Sequence, residues 1–169
     1  MMRALKQQGS AAGALINAHE DMLRKPLGPA VPMQTVSRII PVDWTDYNGH
    51  MNEGRYGQIF SDAADAFMIA IGADSEYVAA GNSFFTAETR IRYLVETMAG
   101  EKVSVHTRIV LSDGKKVKLF HEMRGEANKI FATCEQFMLH VNLTTRKSCP
   151  PLPDVQKRMD TLALAHKES

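Results

Sequence analysis

Cysteine is scarce in this chain, with only Cys134 and Cys149, and they stand in unrelated contexts. No CxxC pair or His/Cys ligand spacing accompanies them, so neither a disulfide framework nor a structural zinc site is indicated. Cys134 falls inside an apolar, strand-like run, where a buried and unreactive thiol is expected. An excess of one charge is lacking too. The formal net charge is +1, which offers no global field for nucleic acid or a membrane surface. No apolar run approaches the roughly 18 residues that a membrane span needs. The small-residue stretch after Arg3 and Lys6 lacks the apolar block of a secretory signal. Internal repeats and low-complexity tracts are missing as well. The expectation is a cytoplasmic, reduced protein that engages neither nucleic acid nor membrane.

What is present is the composition of one globular unit. The 169 residues are 44% hydrophobic and 23% charged, enough to bury a sizeable core. Residues 1–33 read as an N-terminal appendage. A modest helix is predicted over 10–24, with Leu15, His19, Met22 and Leu23 on one side. Pro26 and Pro29 stop it. Residues 34–169 form the predicted folded domain.

Within that domain a strand is predicted over 34–42, followed by a turn-rich cluster over 43–52. The clearest helix follows, because Tyr56, Ile59, Phe60, Ala63, Phe67 and Ile71 recur at three- and four-residue steps. Gly72 marks its end. Strands are predicted over 83–94, 102–111, 117–123 and 130–143. Val103, Val105, Thr107, Ile109 and Leu111 share one face, and Ser112-Asp113-Gly114 makes the hairpin turn. A short C-terminal helix is predicted to start at Asp154. One strand, one long apolar helix and four antiparallel strands give an α+β fold, most simply a sheet curled around the helix.

The chemistry concentrates where the first strand gives way to the helix. Asp46 is a carboxylate, Gly49 permits tight backbone geometry, and Asn52 suits a helix N-cap. Free N–H groups and the aligned peptide dipoles make the helix start positive. A carboxylate beside such a start suits a reaction that develops an oxyanion. Asp46 could attack a carbonyl itself or activate water. Taken alone, the same cluster also fits an ordinary turn.

The run Asp46-Tyr47-Asn48-Gly49-His50-Met51-Asn52, followed by Tyr56, resembles the D-x-x-G-H-[VM]-N-x-x-x-Y signature of the 4-hydroxybenzoyl-CoA thioesterase-like hotdog family. Within it the chain most resembles the betainyl-CoA thioesterases, including those fused behind carnitine dehydrogenase. Ile39-Ile40-Pro41, Trp44, Phe85-Thr86, Glu88, Tyr93-Leu94 and Leu139-His140-Val141 carry that narrower resemblance. It implies a hotdog fold and hydrolysis of a small acyl-CoA thioester, with betainyl-CoA as the leading substrate. The alternatives are a non-catalytic acyl-CoA-binding sensor and an enoyl-CoA hydratase. A homo-oligomer is implied, dimer or tetramer, with sheets joined edge to edge and active sites at the subunit interface. No cofactor is implied beyond the coenzyme A of the substrate.

By the same resemblance the catalytic candidates are Asp46, His50 and Asn52. His50 could instead pack the turn or orient substrate. Substrate-binding candidates are Trp44, Tyr47, Gly49, Glu53, Tyr56 and Phe85. Many family members carry a second asparagine where this chain has Glu53, which would either cap the helix or counter a cationic acyl group. Aromatic faces suit quaternary ammonium groups, although aromatics are also ordinary core. Arg90, Arg92 and Lys116 are the candidates for coenzyme A phosphates, or else a solvated basic edge. His106, His121 and His140 have no shared ligand spacing and read as structural.

Overall fold

The computed structural model describes residues 32–167. The predicted helix over 10–24, and nearly all of the 1–33 appendage, lie outside the described residues. Strand β1 (Met33–Ile39) leads to helix α1 (Glu53–Ala70) and a short helix α2 (Ser75–Ala79). Strands β2 (Asn82–Tyr93), β3 (Lys102–Asp113), β4 (Lys116–Arg124) and β5 (Ile130–Asn142) follow, then β6 (Lys147–Ser148) and helix α3 (Pro153–Ala165). The strands form one antiparallel sheet of six in the order β1-β3-β4-β5-β2, with β6 paired to β5. The sheet curls around α1, as the sequence predicts. Among the described residues, no helix is long and apolar enough to cross a membrane.

The stripe on α1 becomes the centre of the core. Ile59, Phe60, Ala63, Phe67 and Ile71 are fully buried against Val103, Val105, Ile109, Leu119 and Met123 of the sheet. Gly72 ends α1 with φ +87°, while its N–H donates to Ile69 O at 2.9 Å and that of Ala73 to Met68 O at 2.8 Å. Two otherwise unpaired carbonyls are thereby satisfied by a left-handed residue that only glycine adopts cheaply. The Cys134 thiol is buried in the same core, which pushes its pKa up to about 12.

Several boundaries differ from expectation. β1 stops at Ile39, and Val42 lies in a 3-10 turn, Val42–Trp44, because Pro41 has no N–H to continue a ladder. A bulge between Ile109 and Leu111 turns Leu111 outward, so it leaves the face shared by the residues before it. β3 runs on to Asp113, paired with Lys116, so the hairpin loop is Gly114 and Lys115, one step later than Ser112-Asp113-Gly114. Leu152, not Asp154, caps α3, and Pro153 takes the first helical position where no N–H is needed. The short elements α2 and β6 have no clear periodicity in the sequence.

Candidate active site

The turn between β1 and α1 braces itself. The Asp46 backbone N–H donates to His50 O at 2.8 Å, and the Gly49 N–H donates to Asp46 O at 3.0 Å. Gly49 holds φ +80°, which explains glycine there. Asp46 Oδ1 accepts the backbone N–H groups of Asn48 at 2.8 Å and His50 at 3.2 Å. One carboxylate oxygen is thus pinned by the turn, while Oδ2 has no partner among the described residues.

At the helix start Asn52 Oδ1 accepts the Gly54 N–H at 3.0 Å, and the Arg55 N–H reaches Asn52 O at 2.9 Å. The Glu53 N–H, first of α1, has no acceptor within the helix. Asn52 therefore acts as a cap, and the positive end of the helix dipole opens beside Asp46.

A cleft of about 760 Å³ lies between this turn and the segment after β2, within the range of small-ligand sites. Asp46, Tyr47, His50, Asn52, Glu53 and Tyr56 border it from one side, and Tyr93, Leu94, Val95 and Glu96 from the other. Thr97 ties the two sides together. It is fully buried, its Oγ1 accepts the Tyr56 hydroxyl at 3.0 Å, and its carbonyl accepts the Met51 N–H at 2.7 Å. Tyr56 and Tyr93 meet edge to face, with ring centroids 5.0 Å apart and planes at 88°. Glu96 Oε2 lies 3.4 Å from His50 Nε2. Burial pushes the phenol pKa of both tyrosines up.

Six of the sequence candidates meet at this cleft: Asp46, Tyr47, His50, Asn52, Glu53 and Tyr56. Others do not. Trp44 is buried in the core, with the guanidinium of Arg38 at 4.7 Å and that of Arg55 at 5.3 Å from its ring. Gly49 shapes the turn but does not border the cleft. Phe85 and Lys116 both pair with Leu139, whereas Tyr93 pairs with Ala132. Those β5 positions are seven residues apart, about 23 Å along a strand, so both candidates sit at the far end of the sheet. Lys116 there pairs with Asp113 at 3.4 Å. Arg90 and Arg92 stand opposite Glu135 and Thr133, on the sheet face away from α1, because Ile91 between them packs inward near Cys134. The sequence missed Tyr93 and Glu96 as site residues, since no motif joins them to Asp46. Among the described residues no three His, Cys, Asp or Glu side chains gather as a metal site.

A curled antiparallel sheet around one helix, with a carboxylate at the helix start, defines the hotdog class. The chain matches the thioesterase-like superfamily over residues 40–159 and belongs to that family. It is 48% identical to the L-carnitine dehydrogenase/betainyl-CoA thioesterase of Ruegeria pomeroyi, over 98% of this chain and 35% of that protein. The chain thus spans about a third of that relative. A shorter relative, the betainyl-CoA thioesterase of Pseudomonas aeruginosa, is 37% identical over 74% of this chain and 80% of its own length. In fold the chain is similar to a Staphylococcus aureus protein solved in complex with CoA, with TM-score 0.76 and 23% identity over 82% of this chain and 89% of that one.

Proposed function

We propose that this chain hydrolyses an acyl-CoA thioester at the Asp46 cleft, with betainyl-CoA as its substrate. The observation that carries this is the half-committed carboxylate: Oδ1 is held by two backbone N–H groups, Oδ2 has no partner among the described residues, and the helix start at Glu53 borders the same cleft. The thioester carbonyl oxygen would accept that N–H and gain charge against the helix dipole. Asp46 then either takes a proton from water, whose hydroxide adds to the carbonyl carbon, or attacks that carbon to form an acyl anhydride that water cleaves. In both routes the C–S bond breaks and the thiolate of coenzyme A leaves. The substrate follows from the two relatives that carry the betainyl-CoA name.

Asp46→Asn keeps the size of the side chain and removes its charge. Thiol release from betainyl-CoA should then fall by about 10²- to 10⁴-fold, with unchanged circular dichroism. Near-normal turnover by the folded variant sinks the proposal.

Two copies of the chain pairing through β2 fit this function. β2 is an edge strand with much of its length exposed. Antiparallel pairing about its middle would bring one chain's Phe85 end beside the other's Tyr93 end. The distant candidate Phe85 would then approach the partner's cleft.

A further inference from the structure

Tyr93 and Glu96 enter the cleft from outside the motif, and the family signature assigns them nothing. We infer that Tyr93 and Glu96, together with Glu53, select an acyl group bearing a fixed positive charge. This deepens the thioesterase reading of the cleft and rests on it.

The first argument is charge. Asp46, Glu53 and Glu96 border the cleft, and among the described residues no lysine or arginine does. One carboxylate suffices for the hydrolysis, so the other two are surplus to the chemistry. A neutral acyl chain gains nothing from them and must share the space with their hydration. A cation gains from each. Glu96 Oε2 lies 3.4 Å from His50 Nε2, and the Glu96 side chain is 75% exposed, open to a ligand.

The second argument is the ring. A quaternary ammonium cannot donate a hydrogen bond, so aromatic faces and through-space attraction must hold it. Tyr93 is 53% exposed and borders the cleft, yet its edge-to-face contact with buried Tyr56 fixes its plane. A pre-set ring face costs little ordering on binding. The phenols register the field around them: beyond the effect of burial, Glu53 pushes the Tyr93 pKa up and Glu96 adds to that of Tyr56. Glu53 and Glu96 border the same cleft as the tyrosine pair. The same potential repels the phosphates of coenzyme A. A thioester cationic at its acyl end and anionic at its nucleotide end would thus enter in one orientation.

The test compares betainyl-CoA with 3,3-dimethylbutyryl-CoA, which replaces the quaternary nitrogen by carbon at nearly constant shape. Wild type should favour the cationic thioester in kcat/KM. Tyr93→Leu should lower kcat/KM for betainyl-CoA by about 5- to 30-fold, and Glu96→Gln by about 2- to 5-fold, mainly through KM. Both should change the neutral thioester by less than about twofold, and Tyr93→Phe should keep the preference, since it keeps the ring. Equal losses on the two thioesters, or no preference in wild type, overturn the inference and leave the hydrolase standing. Failure of wild type to cleave either thioester removes the hydrolase as well.

Discussion

His121 shows how one side chain can set the acid limit of this protein. It is fully buried between Thr107 and Gln136, with Thr107 Oγ1 2.8 Å from Nδ1 and Gln136 Oε1 3.1 Å from Nε2. Gln136 Oε1 can only accept, so Nε2 carries the proton and Nδ1 accepts from Thr107. Burial lowers the imidazole pKa to about 4. The unfolded chain binds the proton near pH 6.5 and the folded chain only near pH 4, so stability rises with pH across that window. The contribution is complete above pH 6.5 and is lost on acidification, on the order of 3 kcal/mol by pH 4. Denaturant titrations at pH 7 and pH 4.5 should show that loss in wild type and a flatter response in His121→Gln. Equal pH dependence in the two proteins refutes the assignment. His140 behaves similarly: burial lowers its pKa, and it sits between the Tyr77 hydroxyl at 2.8 Å and Cys149 O at 2.8 Å. Both histidines are structural, as their spacing suggests.

At the scale of elements, α1 works for the core and for the cleft at once. Its apolar stripe anchors it to the sheet, and that anchoring fixes where its first N–H points. Asn52 holds the start of the helix, so Asn52→Ala should destabilise by about 0.5–2 kcal/mol, measured by thermal or denaturant unfolding. Asn52→Asp, which keeps the capping oxygen, should recover most of the stability. If alanine costs nothing, Asn52 is not the cap. The segment after β2 is placed with equal definition. Leu94 and Val95 donate to Phe131 O at 2.9 and 3.0 Å, and Thr97 grips Tyr56 and Met51. Tyr93 and Glu96 are therefore presented by a pinned segment, which suits residues that select a ligand.

For the whole molecule, the sheet has two edges, β1 and β2. β1 lies against α1, whereas β2 leaves Phe85, Tyr93 and neighbouring polar residues open. A long open edge invites pairing with another strand. Sedimentation velocity should therefore give at least twice the chain mass. A proline at Thr89, in the middle of β2, should lower that mass. A wild-type protein that stays monomeric at micromolar concentration and still turns over substrate would exclude an interfacial site.

The sequence alone determined what is local. The stripe on α1 and the alternation of β4 were legible because helical and strand periods map directly onto buried faces. The turn after Asp46 was legible because the bonds that Asp46 makes with Asn48, Gly49 and His50 close within five residues. Tertiary structure decided what depends on distant segments. Trp44 carries the aromatic chemistry of a binding residue, yet Arg38 and Arg55 claim its faces in the core. Phe85 and Lys116 have suitable side chains, but strand period says nothing about which end of a sheet meets the helix start. The bulge that turns Leu111 outward is likewise invisible to alternation. Tyr93 and Glu96 reach the cleft through long-range bonds, Thr97 to Tyr56 across 41 residues of chain and Leu94 and Val95 to Phe131. Periodicity tells a residue whether to face inward; only the closed fold tells it what it will face.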